Sequence, residues 1–196
     1  MSGAAWWRRD IHADRRPFLL QRGKVRRALS HWFEAQGFLE VECGAIQVSP
    51  GNETHLHAFG TRFLNEDGTP AADLYLQTSP EFACKKLLAA GEDKIVDFAR
   101  VYRNREAGPL HSPEFTMMEF YAAYTNYTWL MDFTEAIIRQ AAVDAQGTAV
   151  LSYGGRELDL SKPFQRLTIV DAINKYAPGY TPEQLGDAEF IKLELK

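Results

Sequence analysis

The segment IVDFARVYR at residues 95–103 is followed, after the polar segment 104–112, by EFTMMEFYAAY at residues 114–124. Segments rich in Val, Ile, Phe and Tyr that flank a stretch containing Gly and Pro are typical of two strands joined by a loop. We therefore predict an antiparallel hairpin over residues 95–124. The residues of this hairpin give the strongest indications of what the chain does.

The alternation of side chains across a strand places four chemically different groups on one face: Phe115, Met117, Glu119 and Tyr121. On the partner strand, Val101 and Arg103 share a face. If the two faces coincide, two interpretations stay open. Arg103 and Glu119 could form an ion pair on a solvated sheet face. Alternatively the face is a pocket, in which the ring stacks on a base, the guanidinium grips a phosphate or carboxylate, and the carboxylate and phenol hold an ammonium group.

The rest of the chain mixes helices and strands without the rhythm of strand, helix and strand that builds parallel sheets. We therefore predict an α+β fold with an antiparallel sheet flanked by helices. The predicted helices span 18–36, ending at Gly37, then 79–91, opened by Ser79-Pro80-Glu81, and Asn126 to about Gln146, with further N-termini at Thr168 and Thr181. The other predicted strands are 38–42, 55–64 and 74–78, and Gly154-Gly155 marks a hairpin turn.

The composition excludes several classes of protein. With 45% apolar residues, 24% charged residues and a mean hydropathy of −0.32, the chain is an ordinary globular one without a stretch long enough to cross a membrane. The two cysteines, Cys43 and Cys84, exclude a disulfide scaffold and a four-cysteine zinc site within one chain. Cys84 is expected to be a packing residue. The absence of a signal peptide predicts a reduced, cytoplasmic location.

The charge is unevenly distributed. The whole chain carries −4, whereas residues 1–27 hold eight Arg or Lys against two Asp, a net +6. A solvated helix face is the favoured interpretation, and contact with an acidic partner or RNA is the alternative. We expect a basic arm over residues 1–17 and one domain over residues 18–196. Glu53, His55 and His57 offer two interpretations, a metal site or a solvated strand face; the strand face is favoured, and no metal site is predicted.

Three segments resemble a known family. ARVYRNRE followed by HSPEFTMMEFY resembles motif 2 of class II aminoacyl-tRNA synthetases of the lysyl branch. RRALSHWFEAQGFLEVE resembles motif 1, and LYLQTSPEFACKKLLAAG resembles the amino-acid-binding segment between the motifs. The matches cover roughly residues 18–125 in the family's order. Because motif 1 begins near residue 18, without room for an anticodon-binding domain before it, the chain looks closest to the short elongation factor P beta-lysine ligases.

The resemblance implies a ligase that activates lysine or beta-lysine with ATP as an adenylate and transfers it to a lysine of elongation factor P. Arg103 would be the catalytic residue, contacting the α-phosphate and the carboxylate. The implied ATP-binding residues are Arg103, Asn104, Arg105, His111, Ser112 and Phe115. The implied amino-acid-binding residues are Ser79, Glu81, Glu119 and Tyr121, whose carboxylates match a cationic substrate.

The chain departs from the family pattern at several positions. Arg105 stands where an acidic residue is usual, with Glu106 one place later, and Ser112 replaces an asparagine. Cys43-Gly44 replaces the proline that helps to build the family's dimer interface, although a homodimer is still expected. No segment matches motif 3, which holds a second ATP-binding arginine and the usual Mg²⁺ ligands, so the chain is expected to be the first part of a catalytic domain. Two alternatives remain: aminoacylation of tRNA, and a non-catalytic paralogue that binds nucleotide, amino acid or a partner protein.

Overall fold

The predicted hairpin is present in the computed structural model, which describes residues 5–177 and 179–186. The helices are α1 (Arg9–Ala35), α2 (Glu81–Ala89), α3 (Tyr127–Gln146), α4 (Ile169–Tyr176) and α5 (Pro182–Gly186). The strands are β1 (Leu39–Val41), β2 (Ile46–Gln47), β3 (Phe59–Leu64), β4 (Pro70–Leu76), β5 (Lys94–Tyr102), β6 (Glu114–Ala122), β7 (Val150–Tyr153) and β8 (Arg156–Asp159). The chain divides into two compact units, Met1–Ala149 and Val150–Lys196.

The first unit contains two three-stranded sheets. In one, β5 lies between β1 and β6, and β5 pairs with β6 in an unbroken antiparallel register from Lys94↔Ala122 to Tyr102↔Glu114. In the other, β4 lies between β2 and β3, and both pairs are antiparallel. The fold is α+β, as predicted. The pairing of β1 with β5 is parallel, which differs from a purely antiparallel sheet. A parallel pair needs a long crossover, and the chain between β1 and β5 supplies it.

The hydrophobic core lies between one face of the β5–β6 hairpin and helices α1 and α3. Phe33 of α1 is fully buried, and its ring contacts those of Phe38, Phe120 and Phe133 at centroid distances of 5.1, 5.5 and 5.8 Å. Val96 of β5 is also fully buried in this cluster. Because the even-numbered positions of the hairpin face this core, the odd-numbered positions face away from the two long helices, where Arg103 and Glu119 lie.

Several local signals are confirmed. Asn126 Oδ1 accepts a hydrogen bond from Trp129 N at 3.0 Å and caps α3, and Thr168 Oγ1 accepts one from Asp171 N at 3.1 Å at the start of α4. Within the second unit, Gly154 and Gly155 take φ values of 58° and 74° in the turn between β7 and β8. The last segment, IKLELK, lies outside the described residues. In the described part of the chain, no helix is both long enough and apolar enough for a membrane crossing.

Other boundaries were wrong. Helix α1 begins at Arg9, so much of the predicted arm 1–17 is helical, and Pro17 lies inside the helix. The polar sequence of this first part has no apolar periodicity that would reveal a helix. The strand predicted over 55–64 begins only at Phe59, and the one predicted over 74–78 is β4. Three apolar side chains of α1 and α3 are 40–57% exposed: Leu20, Leu130 and Ile138.

Candidate functional site

The two predicted strand faces coincide in the structure. Val101 lies opposite Phe115, and Asp97 lies opposite Glu119, in the register of β5 and β6. Just beyond β5, the Arg103 guanidinium lies 5.3 Å from the centroid of the Phe115 ring. The face turned away from α1 and α3 therefore brings together the arginine, the aromatic ring, the carboxylate and the phenol that the alternation predicted.

A cleft of about 770 Å³ opens where β5 ends and β6 begins. Its lining includes five of the six residues predicted to bind ATP: Arg103, Arg105, His111, Ser112 and Phe115, together with Glu106, Ala107 and Leu110. The sixth, Asn104, is not among the lining residues. Its backbone N–H donates to the His57 carbonyl at 2.6 Å, and its side-chain oxygen accepts from Arg105 N at 2.9 Å. Two arginines and a histidine beside an aromatic ring fit an anionic, ring-containing ligand.

Arg103 is held in place by its backbone and by its Nε atom. Its backbone N–H donates to the Pro113 carbonyl at 2.9 Å, and Nε donates to the Thr78 carbonyl at 3.3 Å. Thr78 is itself buried, and its hydroxyl donates to the Pro50 carbonyl at 2.8 Å. Arg103 thus makes no ion pair with Glu119 among the described residues, so the interpretation of a plain surface ion pair is wrong. The role of Thr78 in holding Arg103 was not predicted.

Glu119 is the centre of a hydrogen-bonded group. Its Oε1 accepts a hydrogen bond from Ser79 Oγ at 2.5 Å, and its Oε2 accepts one from Tyr121 OH at 2.6 Å. Ser79 Oγ also accepts from Glu81 N at 3.1 Å, at the beginning of α2. Glu81 and Lys85 form an ion pair one helical turn apart. Glu81, Glu119 and Tyr121 line one shallow hollow, so the structure brings together all four residues predicted to bind the amino acid.

The environment of Tyr121 perturbs its hydroxyl. Burial of the side chain is the larger cause, and the hydrogen bond to the Glu119 carboxylate is the next; both raise the pKa of Tyr121 above its ordinary value of 10.0. The proton therefore stays on the phenol when the chain is folded, and the phenol acts as a hydrogen-bond donor to Glu119.

This shift predicts a specific loss of stability in alkali. Above pH 10 the unfolded tyrosine ionises while the folded one keeps its proton, so the folded state binds more protons. The free energy of unfolding then falls as the pH rises, by up to about 1.4 kcal/mol per pH unit from this group. Denaturant unfolding between pH 9 and 11 should show a shallower fall for Tyr121→Phe than for the wild-type chain. Tyr153→Phe, at a side chain that is 81% exposed, is the control and should keep the wild-type slope. Equal slopes for all three chains would contradict the assignment.

Sequence reasoning missed a further group of side chains, which lies beside Glu119. Cys43 Sγ and Cys84 Sγ lie 3.8 Å apart, and Cys43 N donates to Asp97 Oδ2 at 3.1 Å. Cys84 is fully buried, as expected of a packing residue, and Asp97 is 2% exposed. Within residues 5–177 and 179–186, Cys43, Cys84 and Asp97 form the one group of three potential ligands close enough to share a metal ion. His55 and His57 do not belong to such a group. No sequence spacing links the three residues, because the pairing of β1 with β5 and the position of α2 bring them together.

Comparison with known proteins gives a consistent result. A family model for tRNA synthetases class II (D, K and N) matches residues 9–192. A protein named lysine--tRNA ligase from Janthinobacterium sp. (strain Marseille) is 50% identical over 186 residues, which cover 95% of this chain and 35% of that protein. One of the same name from Herminiimonas arsenicoxydans is 49% identical over the same shares of the two chains. The chain thus spans about a third of the length of the curated relatives it matches.

Proposed function

This chain belongs to the class II tRNA synthetases of the D, K and N group, and from that premise we propose that it forms part of a site where lysine is activated with ATP and transferred to tRNA. The observation that carries the proposal is that Phe115 and Glu119 lie on one face of β6, with Arg103 beside Phe115 and with Ser79 and Tyr121 bound to Glu119. The cleft holds Arg103 and Phe115, and the hollow holds Glu119.

The distance between these two places suits an aminoacyl-adenylate. Phe115 and Glu119 are four residues apart on β6, which corresponds to about 13 Å along a strand. An adenine stacked on Phe115 and a lysine ammonium at Glu119 would leave the α-phosphate and the carboxylate between them. Arg103 is attached to the Thr78 carbonyl through Nε only, so its two terminal nitrogens are available to oxyanions from this ligand.

The chemistry needs no nucleophile from the protein. A carboxylate oxygen of lysine attacks the α-phosphate of ATP, the bond to the leaving phosphate breaks, and pyrophosphate departs. In the second step a hydroxyl of the tRNA attacks the carbonyl carbon and AMP leaves. The residues of this chain contribute position and charge: Arg103 stabilises the negative charge that develops at the phosphate, and Glu119 orients the ammonium end.

Magnesium does not fit the ligands that the described residues offer. Mg²⁺ prefers oxygen atoms from carboxylates, water and phosphates. The group of three candidate ligands within residues 5–177 and 179–186 contains two thiols, Cys43 and Cys84, beside Asp97. No step of the proposed reaction is therefore assigned to a magnesium site built from these residues.

The relatives bear on the choice of acceptor. Those reported above carry the name lysine--tRNA ligase, which favours the tRNA alternative over transfer to elongation factor P. Chain length does not separate the two acceptors, because this chain covers only about 35% of those relatives. The basic surface of residues 1–27, net +6, is the feature of this chain that suits RNA.

The proposal is tested in two stages. Lysine-dependent and beta-lysine-dependent ATP–pyrophosphate exchange measure activation, and labelled lysine is then offered to tRNA and to elongation factor P in separate reactions. Exchange with lysine and label on tRNA would support the proposal. Label on elongation factor P alone would overturn the proposed acceptor. A folded chain without exchange would contradict activation by these 196 residues and leave the binding of nucleotide or amino acid as the function to examine.

A homodimer remains part of the proposal. On α1, Phe18, Leu19 and Leu20 are 71%, 45% and 57% exposed, and three adjacent apolar side chains in water favour burial against a second copy. Sedimentation velocity at micromolar concentration should give a dimer, and the double variant Phe18→Ser and Leu20→Ser should shift the chain towards monomer. A wild-type monomer at these concentrations would contradict the expectation.

A further inference from the structure

We propose that Cys43, Cys84 and Asp97 form a binding site for one thiophilic divalent cation of the zinc class. The three residues come from three parts of the first unit: Cys43 follows β1, Cys84 lies in α2 and Asp97 lies in β5. One potential ligand atom from each lies within 4.8 Å of the others. The proposal is independent of the reaction proposed above.

The distance between the sulfur atoms fits a shared metal ion. Two sulfur atoms bound to one tetrahedral zinc ion at about 2.3 Å are separated by about 3.8 Å. Cys43 Sγ and Cys84 Sγ are 3.8 Å apart, whereas a disulfide would bring them to about 2.05 Å. The two thiols therefore already have the separation that a zinc ion requires of two of its ligands.

Asp97 completes a set of three ligands. It is 2% exposed, and Cys43 N donates to its Oδ2 at 3.1 Å, which orients the carboxyl group beside the sulfur atoms. Two sulfur ligands and one oxygen ligand favour zinc or cobalt over magnesium and calcium. Cys43 is only partly buried, so the ion can enter from its side, and a water molecule can occupy the fourth position.

The charge balance permits binding at this buried place. When M²⁺ binds, the two S–H bonds break, two metal–sulfur bonds form and two protons pass to water. The net charge of the group is the same before and after, because the ion brings two positive charges and the thiols lose two. No oxidant or reductant is needed.

An ion bound at this position would link elements of the fold that lie beside Glu119. Asp97 lies opposite Glu119 in the β5–β6 register, and α2 begins at Glu81, two residues after Ser79, which donates to Glu119. An ion held by Cys43, Cys84 and Asp97 would therefore connect β1, α2 and β5, the elements beside the Glu119 hollow. We expect the ion to stabilise these elements against unfolding, since it binds the folded chain and has no preformed site in the unfolded one.

The test uses the reduced, chelator-treated 196-residue chain. Titration with Co²⁺ should give one equivalent with thiolate-to-cobalt charge-transfer absorption and the intense visible bands of a tetrahedral site, and Zn²⁺ should displace them. Zn²⁺ should also raise the thermal midpoint of the wild-type chain. Cys43→Ser and Cys84→Ala should each remove the part of the charge-transfer absorption that the missing thiolate supplies. All three ligand variants, with Asp97→Asn as the third, should weaken Zn²⁺ binding, measured against a chromophoric chelator, by at least about tenfold.

The double variant His55→Ala and His57→Ala is the matched control, because it removes the exposed imidazoles that most easily bind zinc adventitiously. It should keep the wild-type titration. Circular dichroism checks that each variant is folded. If Cys84→Ala does not fold, Cys43→Ser alone tests the thiol ligands, since Cys43 is the more exposed thiol. A wild-type chain without charge-transfer bands, bands that keep the wild-type intensity in Cys43→Ser, or loss of binding in the histidine control would each overturn the proposal.

Discussion

Replacing Arg103 with alanine is expected to lower lysine-dependent ATP–pyrophosphate exchange by about 100- to 1,000-fold, the loss typical of removing one donor that stabilises developing charge in a transition state. Arg103 lines the cleft where β5 ends and β6 begins, and its guanidinium lies 5.3 Å from the Phe115 ring. Its backbone hydrogen bond to Pro113 does not involve the side chain and survives the substitution. The loss should therefore appear in the rate of exchange, with the fold retained.

Arg100→Ala is the matched control for this experiment. Arg100 lies on β5 three residues earlier, but its side chain is 55% exposed, lies 3.7 Å from Glu114 and belongs to the other face of the hairpin. A surface pair of this kind contributes little to stability. Exchange should stay near the wild-type rate in this variant. Equal losses in the two variants, or wild-type exchange in Arg103→Ala, would exclude the role assigned to Arg103.

The substitution Glu119→Gln is expected to raise the KM for lysine in the same assay by about 10- to 100-fold, with a smaller effect on the KM for ATP. Hydrogen bonds to charged groups are each worth about 1.5–3 kcal/mol, and the amide removes the charge that would hold the substrate ammonium. The amide nitrogen would also face the hydroxyl of Ser79 or Tyr121, each of which donates to Glu119. The hollow would lose its charge and its hydrogen-bonding pattern together.

Glu114→Gln offers the same chemical change elsewhere on β6. Glu114 is 52% exposed and faces Arg100 on the side of the sheet opposite to Glu119. The KM for lysine should be unchanged in this variant. If both glutamine variants raised the KM alike, the effect would be one of overall charge, and Glu119 would have no specific part in recognising the ammonium group.

Much of the local structure could be predicted, because its causes lie within a few residues. The alternation in 114–124 identified β6 and the face that carries Glu119, and Asn126 was recognised as the cap of α3. The start of α1 was placed too late, since its first part is polar and exposes most of its side chains. The strand predicted from residue 55 begins only at Phe59, because apolar composition alone does not show where strand pairing stops.

The site could be predicted only in part, for a related reason. Strand alternation grouped Arg103 with Phe115, and the family resemblance implied a common place for Ser79 and Glu119; the structure brings each pair together. Asn104 was grouped with the cleft residues as well, but its backbone instead pairs with His57, forty-seven positions away in the chain. Contacts over such separations depend on the packing of whole elements, which a local pattern does not contain.

The sequence by itself determined the helices and strands with strong periodicity or caps, the α+β class and the chemical character of the hairpin face. Only the tertiary structure decided the parallel pairing of β1 with β5, the anchoring of Arg103 on the Thr78 carbonyl and the meeting of Cys43, Cys84 and Asp97. The physical reason is the separation in sequence over which each kind of interaction acts. Propensity, alternation and capping act between residues close in sequence, whereas these contacts arise when hydrophobic burial brings distant segments together.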